Sequence, residues 1–186
     1  MSPVELIAAV VTIASIWLAT RENIWYWPTG IVSTILYTWT YWQFRLYAEA
    51  GLQLVWLVLI AYGWYEWLHG GNDRGELPVT KTPRSWWPAI LLTGVAASAV
   101  ITFIQLRYTN NPAPVLDSSI AAWSIVAQWM TARKWLENWL LWTVVNCVAI
   151  PLYVSRGYYP TAVVYTALLF LGIRGYFTWR RSLASA

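Results

Sequence analysis

Charge is scarce in this sequence. Only 11% of its 186 residues are Asp, Glu, Lys or Arg, whereas 59% are apolar. A soluble domain of this length needs far more charge on its surface, so the composition excludes a soluble protein. Cysteine is scarce too: Cys147 stands alone in the sequence, which excludes an intrachain disulfide.

Motifs for catalysis are also missing. The sequence contains no P-loop (GxxxxGK[ST]), no HExxH and no nucleophile elbow. No Asp, Glu, Lys or His falls near the centre of any predicted helix, where an ion-coupled pump normally keeps an ionisable group. No basic cluster is combined with a nucleic-acid recognition motif. We therefore expect no enzyme, no ion-coupled pump, no cofactor, no metal and no nucleic-acid partner.

Long uncharged stretches are what the sequence has instead. There are seven of them, each 15 to 22 residues long. A helix needs roughly 17–25 residues to cross a bilayer, and charged side chains at its ends can extend toward the surface. The stretches are 6–20, 24–44, 50–65, 85–106, 118–132, 138–155 and 157–173. The sequence thus predicts an all-α integral membrane protein with seven transmembrane helices in a lipid bilayer.

The basic residues indicate the orientation of these helices. Seven helices place the two termini on opposite faces, and only three of the twelve Lys and Arg fall on the N-terminal face: Arg45, Arg107 and Arg156. The other nine fall on the C-terminal face: Arg21, Arg74, Lys81, Arg84, Arg133, Lys134, Arg174, Arg180 and Arg181. The positive-inside rule then predicts an outer N-terminus and a cytoplasmic C-terminus.

Parts of the sequence occur twice. The matched residues are Glu22, Asn23 and Trp27 with Glu137, Asn138 and Trp142 at a spacing of 115, and Gly63 and Trp67 with Gly175 and Trp179 at a spacing of 112. The change of three residues suggests a shorter loop between the sixth and seventh helices. We therefore expect a 3+1+3 parallel repeat of the SWEET type within one membrane domain. Its parts are a first half at 1–68, a cytoplasmic loop at 69–85, a linker helix at 86–106 and a second half at 112–181.

Polar and aromatic residues near the helix centres are the candidate binding residues. Transporters built from repeats bind substrate near the midplane, and an amide in hydrocarbon is costly unless it is bonded. In the sixth predicted helix Trp139, Trp142 and Asn146 share one face, because they are spaced by three and four residues. Helix position adds Tyr37, Gln53, Trp56, Gln128 and Tyr165. Aromatic faces of this kind suit a planar ring, neutral or cationic.

These residues resemble a known family. The segment Glu137-Asn138-Trp139-x-x-Trp142-x-x-x-Asn146, with Tyr153, Tyr165 and Trp179 after it, is similar to the C-terminal half of the PnuC vitamin transporters. The N-terminal half of that family is matched by Asn23, Trp27, Pro28, Gly30 and Tyr37. The resemblance covers about residues 20–181.

The resemblance implies facilitated diffusion of a vitamin B precursor, mainly nicotinamide riboside, across the bacterial inner membrane. It also implies trapping of the imported compound by a cytoplasmic kinase, assembly as a homo-oligomer, namely a trimer, and substrate contact by Trp139, Trp142 and Asn146. Two alternatives stay open. One is a facilitator of thiamine or another B vitamin, since thiamine also carries a cationic aromatic ring and members of this family carry thiamine or riboflavin; the other is a non-transporting membrane scaffold or sensor subunit.

Overall fold

The computed structural model describes residues 3–45, 47–71 and 75–185, and over these ranges the chain forms seven α-helices. They are α1 Pro3–Thr20, α2 Tyr26–Gln43, α3 Tyr47–His69, α4 Trp87–Tyr108, α5 Pro114–Ala132, α6 Asn138–Ser155 and α7 Tyr159–Ser185. Each predicted transmembrane stretch overlaps one of them, so the prediction of an all-α protein with seven helices is confirmed. Arg74 and the rest of 72–74, within the predicted loop, lie outside the described ranges.

The helices differ in how apolar they are. Within the described part of the chain, four segments are long and apolar enough to cross a membrane on their own: Pro3–Thr20, Arg84–Tyr108, Asn138–Ser155 and Tyr159–Ala184. Two of the other helices bury polar side chains. Helix α5 buries Ser124, Gln128 and Thr131, and α2 buries Ser33 and Thr34. These helices are less apolar because part of their surface turns toward the protein interior.

Six of the helices form a closed ring. Successive contacts run α1–α2–α3 and α5–α6–α7, and the two groups are joined by α3 against α5 and by α7 against α1. Helix α4 packs on α5 from outside the ring. The chain between the two groups is therefore a connection, and it leaves the interior of the ring to the other six helices.

The same tryptophan–glycine packing occurs in both groups of three helices. In the first group the indole of Trp27 lies against Gly63, and its centroid is 5.3 Å from that of Trp67 at an interplanar angle of 90°. In the second group the residues found 112 positions later repeat this arrangement, with centroids 5.3 Å apart at 88°: Trp139, Gly175 and Trp179.

The turns between helices follow the same spacing. Glu22 after α1 and Lys134 after α5 have left-handed φ values of 56° and 48°. Both turns contain the backbone bonds of a Schellman motif, in which the carbonyls of the last helical turn accept from the residues beyond it. After α2 and α6, Arg45 and Gly157 have φ values of 58° and 75°.

This single spacing of 112 corrects the predicted register of the sixth helix. The predicted match of Trp27 with Trp142 is wrong, because Trp139 occupies the equivalent position. The similar letters lie at different places in the structure: Glu22 is in the turn after α1, whereas Glu137 immediately precedes α6. The geometry is compatible with the predicted 3+1+3 parallel repeat and changes only the register on which that prediction was based.

Replacing Gly175 with alanine should destabilise the protein. A Cβ at this position would lie 2.6 Å from Cδ2 of Trp139, and overpacking of this kind typically costs about 1–3 kcal/mol. We expect a lower midpoint of thermal unfolding in detergent, followed by tryptophan fluorescence. Gly51→Ala is the matched control, because an added Cβ there meets no atom within 4 Å. Equal stability of the two variants would contradict the packing described.

Candidate functional site

The helical ring encloses a cavity of about 870 Å³. This volume lies in the range of small-molecule sites, about 300–1,000 Å³. One end, near Glu5, Gly157 and Tyr158, is open, and Tyr158 is 57% exposed. The other end is closed by buried residues such as Ala19 and Thr131. The distance along α1 from Glu5 to Ala19 is about 21 Å at 1.5 Å per residue, so the cavity extends through most of a bilayer core.

The structure brings all the predicted binding residues to this one cavity. Each of the eight lines its wall: Tyr37, Gln53, Trp56, Gln128, Trp139, Trp142, Asn146 and Tyr165. Their role in binding a ligand stays a prediction. The lining residues that sequence reasoning missed include Glu5 and Tyr26. Glu5 lies just before the uncharged stretch 6–20, and candidates were taken only from within the stretches.

Asn146 is the most unusual polar residue of the cavity. It lies in the middle of α6 and is 2% exposed, and its Oδ1 atom accepts no hydrogen bond from the described residues. A buried polar group without a partner costs about 1–3 kcal/mol. Such a group in a cavity wall is one that a ligand can satisfy.

The indole of Trp142 is held in place by a short chain of hydrogen bonds. Its Nε1 donates to Oγ1 of Thr131 at 3.2 Å, and that hydroxyl lies 3.0 Å from Oδ1 of Asn138. The amide nitrogen of Asn138 donates in turn to the carbonyl of Trp135 at 2.6 Å. The neighbouring lining residue, Trp139, is fixed by the tryptophan–glycine packing. Both rings are thus positioned before any ligand arrives.

The amide of Gln128 also has a defined orientation. Gln128 is 4% exposed, and its Oε1 accepts a hydrogen bond from the hydroxyl of Tyr26 at 3.0 Å. Because the carbonyl oxygen is occupied, the amide nitrogen is the group that remains to donate to a ligand. The cavity therefore combines a donor on α5 with an unsatisfied amide on α6.

Aromatic pairs line the half of the cavity nearer its open end. Tyr37 stacks on Tyr41 with centroids 6.0 Å apart, and Tyr165 lies 5.1 Å from Tyr153. The remaining predicted residues, Gln53 and Trp56, are half-buried on α3. A planar ligand entering from the open end would meet aromatic faces on two sides.

The closed end is built by hydrogen bonds that cross between the two groups of helices. Trp67 on α3 donates its Nε1 to the carbonyl of Thr131 on α5 at 3.1 Å. Trp179 on α7 donates to the carbonyl of Ala19 on α1 at 2.9 Å. The two indoles lie 5.8 Å apart and belong, with Trp27 and Trp139, to one buried cluster at this end of the ring.

Two ion pairs lie at the same end of the ring as these indoles. Nζ of Lys134 is 3.5 Å from a carboxylate oxygen of Glu22 and 4.6 Å from the centre of the Trp67 ring. Burial lowers the pKa of Lys134, and the carboxylate of Glu22 opposes that shift. Arg133 and Glu66 form a second pair at 3.2 Å. Both pairs connect the first group of helices to the second.

The cavity is suited to binding rather than to catalysis. Of the described residues that line it, Glu5 alone carries a charge. Within the described ranges no group of three or more His, Cys, Asp or Glu could hold a metal ion. A ring of membrane helices around a deep, aromatic cavity defines a membrane transport protein.

The family follows from sequence comparison. The family model described as nicotinamide mononucleotide transporter matches residues 2–181, and the chain belongs to this family. The prediction of a transporter rather than an enzyme is thereby confirmed.

The names of individual relatives give different substrates. The nicotinamide riboside transporter PnuC of Escherichia coli is 25% identical over 207 residues, with 98% of this chain and 87% of the relative covered. The riboflavin/roseoflavin transporter RibM of Streptomyces davaonensis is 26% identical over 185 residues, with 96% and 85% covered. A crystal structure of the vitamin B3 transporter PnuC aligns with a TM-score of 0.77 at 24% identity, covering 98% of this chain and 82% of that one, and shows the same fold.

Proposed function

We propose that this chain carries nicotinamide riboside across the bacterial inner membrane by facilitated diffusion. The observation that carries the proposal is the unsatisfied amide oxygen of Asn146 in a cavity lined by tryptophan and tyrosine rings. Relatives with coverage of nearly the whole chain are named nicotinamide riboside transporters, which supports this substrate.

The chemistry of the cavity suits this ligand. Nicotinamide riboside has a cationic aromatic ring, a carboxamide and ribose hydroxyls. The face of Trp142, which is partly buried, can stack on the ring and attract its charge, and Trp139, which is 2% exposed, bounds the cavity beside it. Asn146 can accept a hydrogen bond from one of the polar groups, since its amide oxygen is unsatisfied, and Gln128 can donate one, since its amide nitrogen is left to donate.

The absence of basic residues from the described cavity wall favours the riboside over its phosphate. Phosphate recognition in proteins relies on Arg, Lys or backbone N–H groups, and the described lining residues include neither Arg nor Lys. We therefore infer that the mononucleotide in the family's description is not what this cavity binds. Phosphorylation by a cytoplasmic kinase would then make the imported riboside unable to return.

The cavity also suits a uniporter. Coupling to protons or ions normally uses an ionisable side chain near the middle of the membrane. The charged residue of the described cavity wall, Glu5, lies in the first turn of α1, far from the middle. Direction of transport would then follow the gradient of free riboside.

Direct binding tests this proposal against its alternatives. We expect nicotinamide riboside to change the tryptophan fluorescence of the purified protein in a saturable way, because Trp139 and Trp142 line the cavity. Thiamine and riboflavin, titrated separately, test the two rival vitamins, of which riboflavin is favoured by the likeness to RibM. No saturable change with any of the three would favour a scaffold or sensor subunit.

Asn146→Leu should weaken riboside binding by about 5- to 150-fold, because a ligand would lose a buried hydrogen bond worth about 1–3 kcal/mol. The change keeps the number and branching of the side-chain heavy atoms and removes a buried polar group without a partner, so thermal stability should not fall. Val144→Leu is the control, since Val144 lies on the same helix, is 58% exposed and does not line the cavity. Equal affinity of the two variants for the riboside would show that Asn146 does not contact the ligand.

We also propose that the N-terminus is outside and the C-terminus in the cytoplasm, which makes the cavity open outward. A reporter enzyme that is active only in the cytoplasm, fused after residue 186, should be active; an inactive but stable fusion would indicate the opposite orientation.

The trimer stays a prediction, and the mass of the protein in detergent tests it.

A further inference from the structure

Thr131 belongs both to the cavity and to its closed end. It lies in the last turn of α5, lines the cavity and is 2% exposed. Its side chain and its backbone carbonyl each hold an indole, and the two indoles lie in different parts of the molecule. One is Trp142, which lines the cavity, and the other is Trp67, which belongs to the buried cluster of the closed end.

The hydroxyl of Thr131 has more than one hydrogen-bond partner. It accepts from Nε1 of Trp142 at 3.2 Å, and the same oxygen lies 3.0 Å from Oδ1 of Asn138 and 2.9 Å from the carbonyl of Ala127. A hydroxyl has one hydrogen, so it donates to one of these two oxygens at a time. It can therefore exchange a partner on α6 for a partner on its own helix and keep a donated bond in both arrangements.

The carbonyl of Thr131 helps to tie the two halves together at the closed end. It accepts from Nε1 of Trp67 on α3 at 3.1 Å and from the backbone N–H of Lys134 at 3.0 Å. A ligand that leaves through the closed end requires the halves to move apart there, and the bond from Trp67 crosses between them. A movement of the last turn of α5 therefore acts on a bond that keeps this end closed.

The equivalent position in the first half separates these two roles. That position is Ala19, 112 residues earlier, and its carbonyl also accepts an indole N–H across the halves, from Trp179 at 2.9 Å. Alanine has no hydroxyl, so the bond at the closed end forms without one. The residue that matches Trp142 in the first half is Gly30, which has no ring to position. The hydroxyl of Thr131 is thus present in the half that also places an indole in the cavity wall.

We propose that Thr131 is a positioning residue that couples ligand binding to the opening of the closed end. A ring that stacks on Trp142 shifts this indole, the indole acts on the hydroxyl, and the last turn of α5 transmits the displacement to the carbonyl that holds Trp67. The inference rests on the proposed function and adds to it how a bound riboside acts on the barrier to its own release. Coupling is reciprocal, so opening of the closed end also alters the position of Trp142.

Thr131→Val removes the hydroxyl and keeps the carbonyl and the shape of the side chain. In reconstituted vesicles its transport of nicotinamide riboside at saturating concentration should be at least about fivefold slower than that of the wild type, the lower limit of typical coupling between two sites. The dissociation constant, measured by calorimetry on the full-length protein in detergent, should change by a smaller factor, because Asn146 and the aromatic faces remain. Thr131→Ser, which keeps the hydroxyl, should restore the rate.

A thiol at the closed end measures the coupling directly. Val79 is 5% exposed and packs in the same buried cluster as Trp67, so Val79→Cys should react with a water-soluble thiol reagent when this end opens. Cys147, which is exposed and does not line the cavity, is first replaced with alanine. In this background saturating riboside should raise the rate of thiol reaction about fivefold or more, and with Thr131→Val added it should not.

The matched control is Thr166→Val, the same chemical change at another site. Thr166 is half-buried on α7, does not line the cavity and donates its hydroxyl to the carbonyl of Ala162 in its own helix. It should leave both the transport rate and the riboside effect on the thiol unchanged. Thr131→Ala, which places in α5 the side chain found at Ala19, is a second variant without the hydroxyl and should behave like Thr131→Val.

Three outcomes would overturn the proposal. The first is transport by both hydroxyl-free variants at the wild-type rate. The second is a riboside effect on the thiol that is absent in the parent or equally large with Thr131→Val. The third is a loss of rate matched by an equal loss of affinity, since the hydroxyl would then only shape the binding site. If the wild type neither binds nor transports riboside, the proposed function itself fails; if it does both, these outcomes reject only the role of Thr131.

Discussion

The packing of two indoles against two glycines is the contact on which the rest of the structure depends. Trp27 and Trp139 lie where a side chain at Gly63 or Gly175 would have to be, so α2 and α3, and likewise α6 and α7, approach each other closely. The contact also sets the edge-to-face geometry of Trp67 and Trp179 against these rings. With all of these indoles almost fully buried, one end of the molecule is compact.

Because the helices are packed closely at one end of the ring, the cavity opens at the other end. The cavity extends from Ala19 and Thr131 at the closed end to the open end, where tyrosine pairs line its wall. The closely packed indoles and the polar residues of the cavity therefore lie at different positions along the same helices. On α6, for example, Trp139 belongs to the closed end, Asn146 faces the cavity and Tyr153 lies near the opening.

Much of this arrangement could be predicted from the sequence, for reasons that differ between levels. Helix number followed from the spacing of charges, because a charge is costly in hydrocarbon and therefore marks helix ends. The cavity residues followed from polarity, since an amide such as that of Asn146 or Gln128 is costly in hydrocarbon unless it is bonded and therefore indicates an interior position. The register of the repeat could not be predicted, because it depends on which tryptophan fits a glycine on another helix. Glu5 was missed because a residue at a helix end carries no signal of what it faces.

The two bonds of the closed end cross between halves, and this has a consequence for how the protein tolerates change. Trp179, in the second half, donates to the carbonyl of Ala19, which lies 160 residues earlier in the first half. Trp67, in the first half, donates to the carbonyl of Thr131, which lies 64 residues later in the second half. Neither half contains both the donor and the acceptor of its own bond. A substitution that shifts the end of α1 therefore also displaces the carbonyl that Trp179 of the last helix needs, so the two halves, despite their similarity, cannot diverge independently at this point.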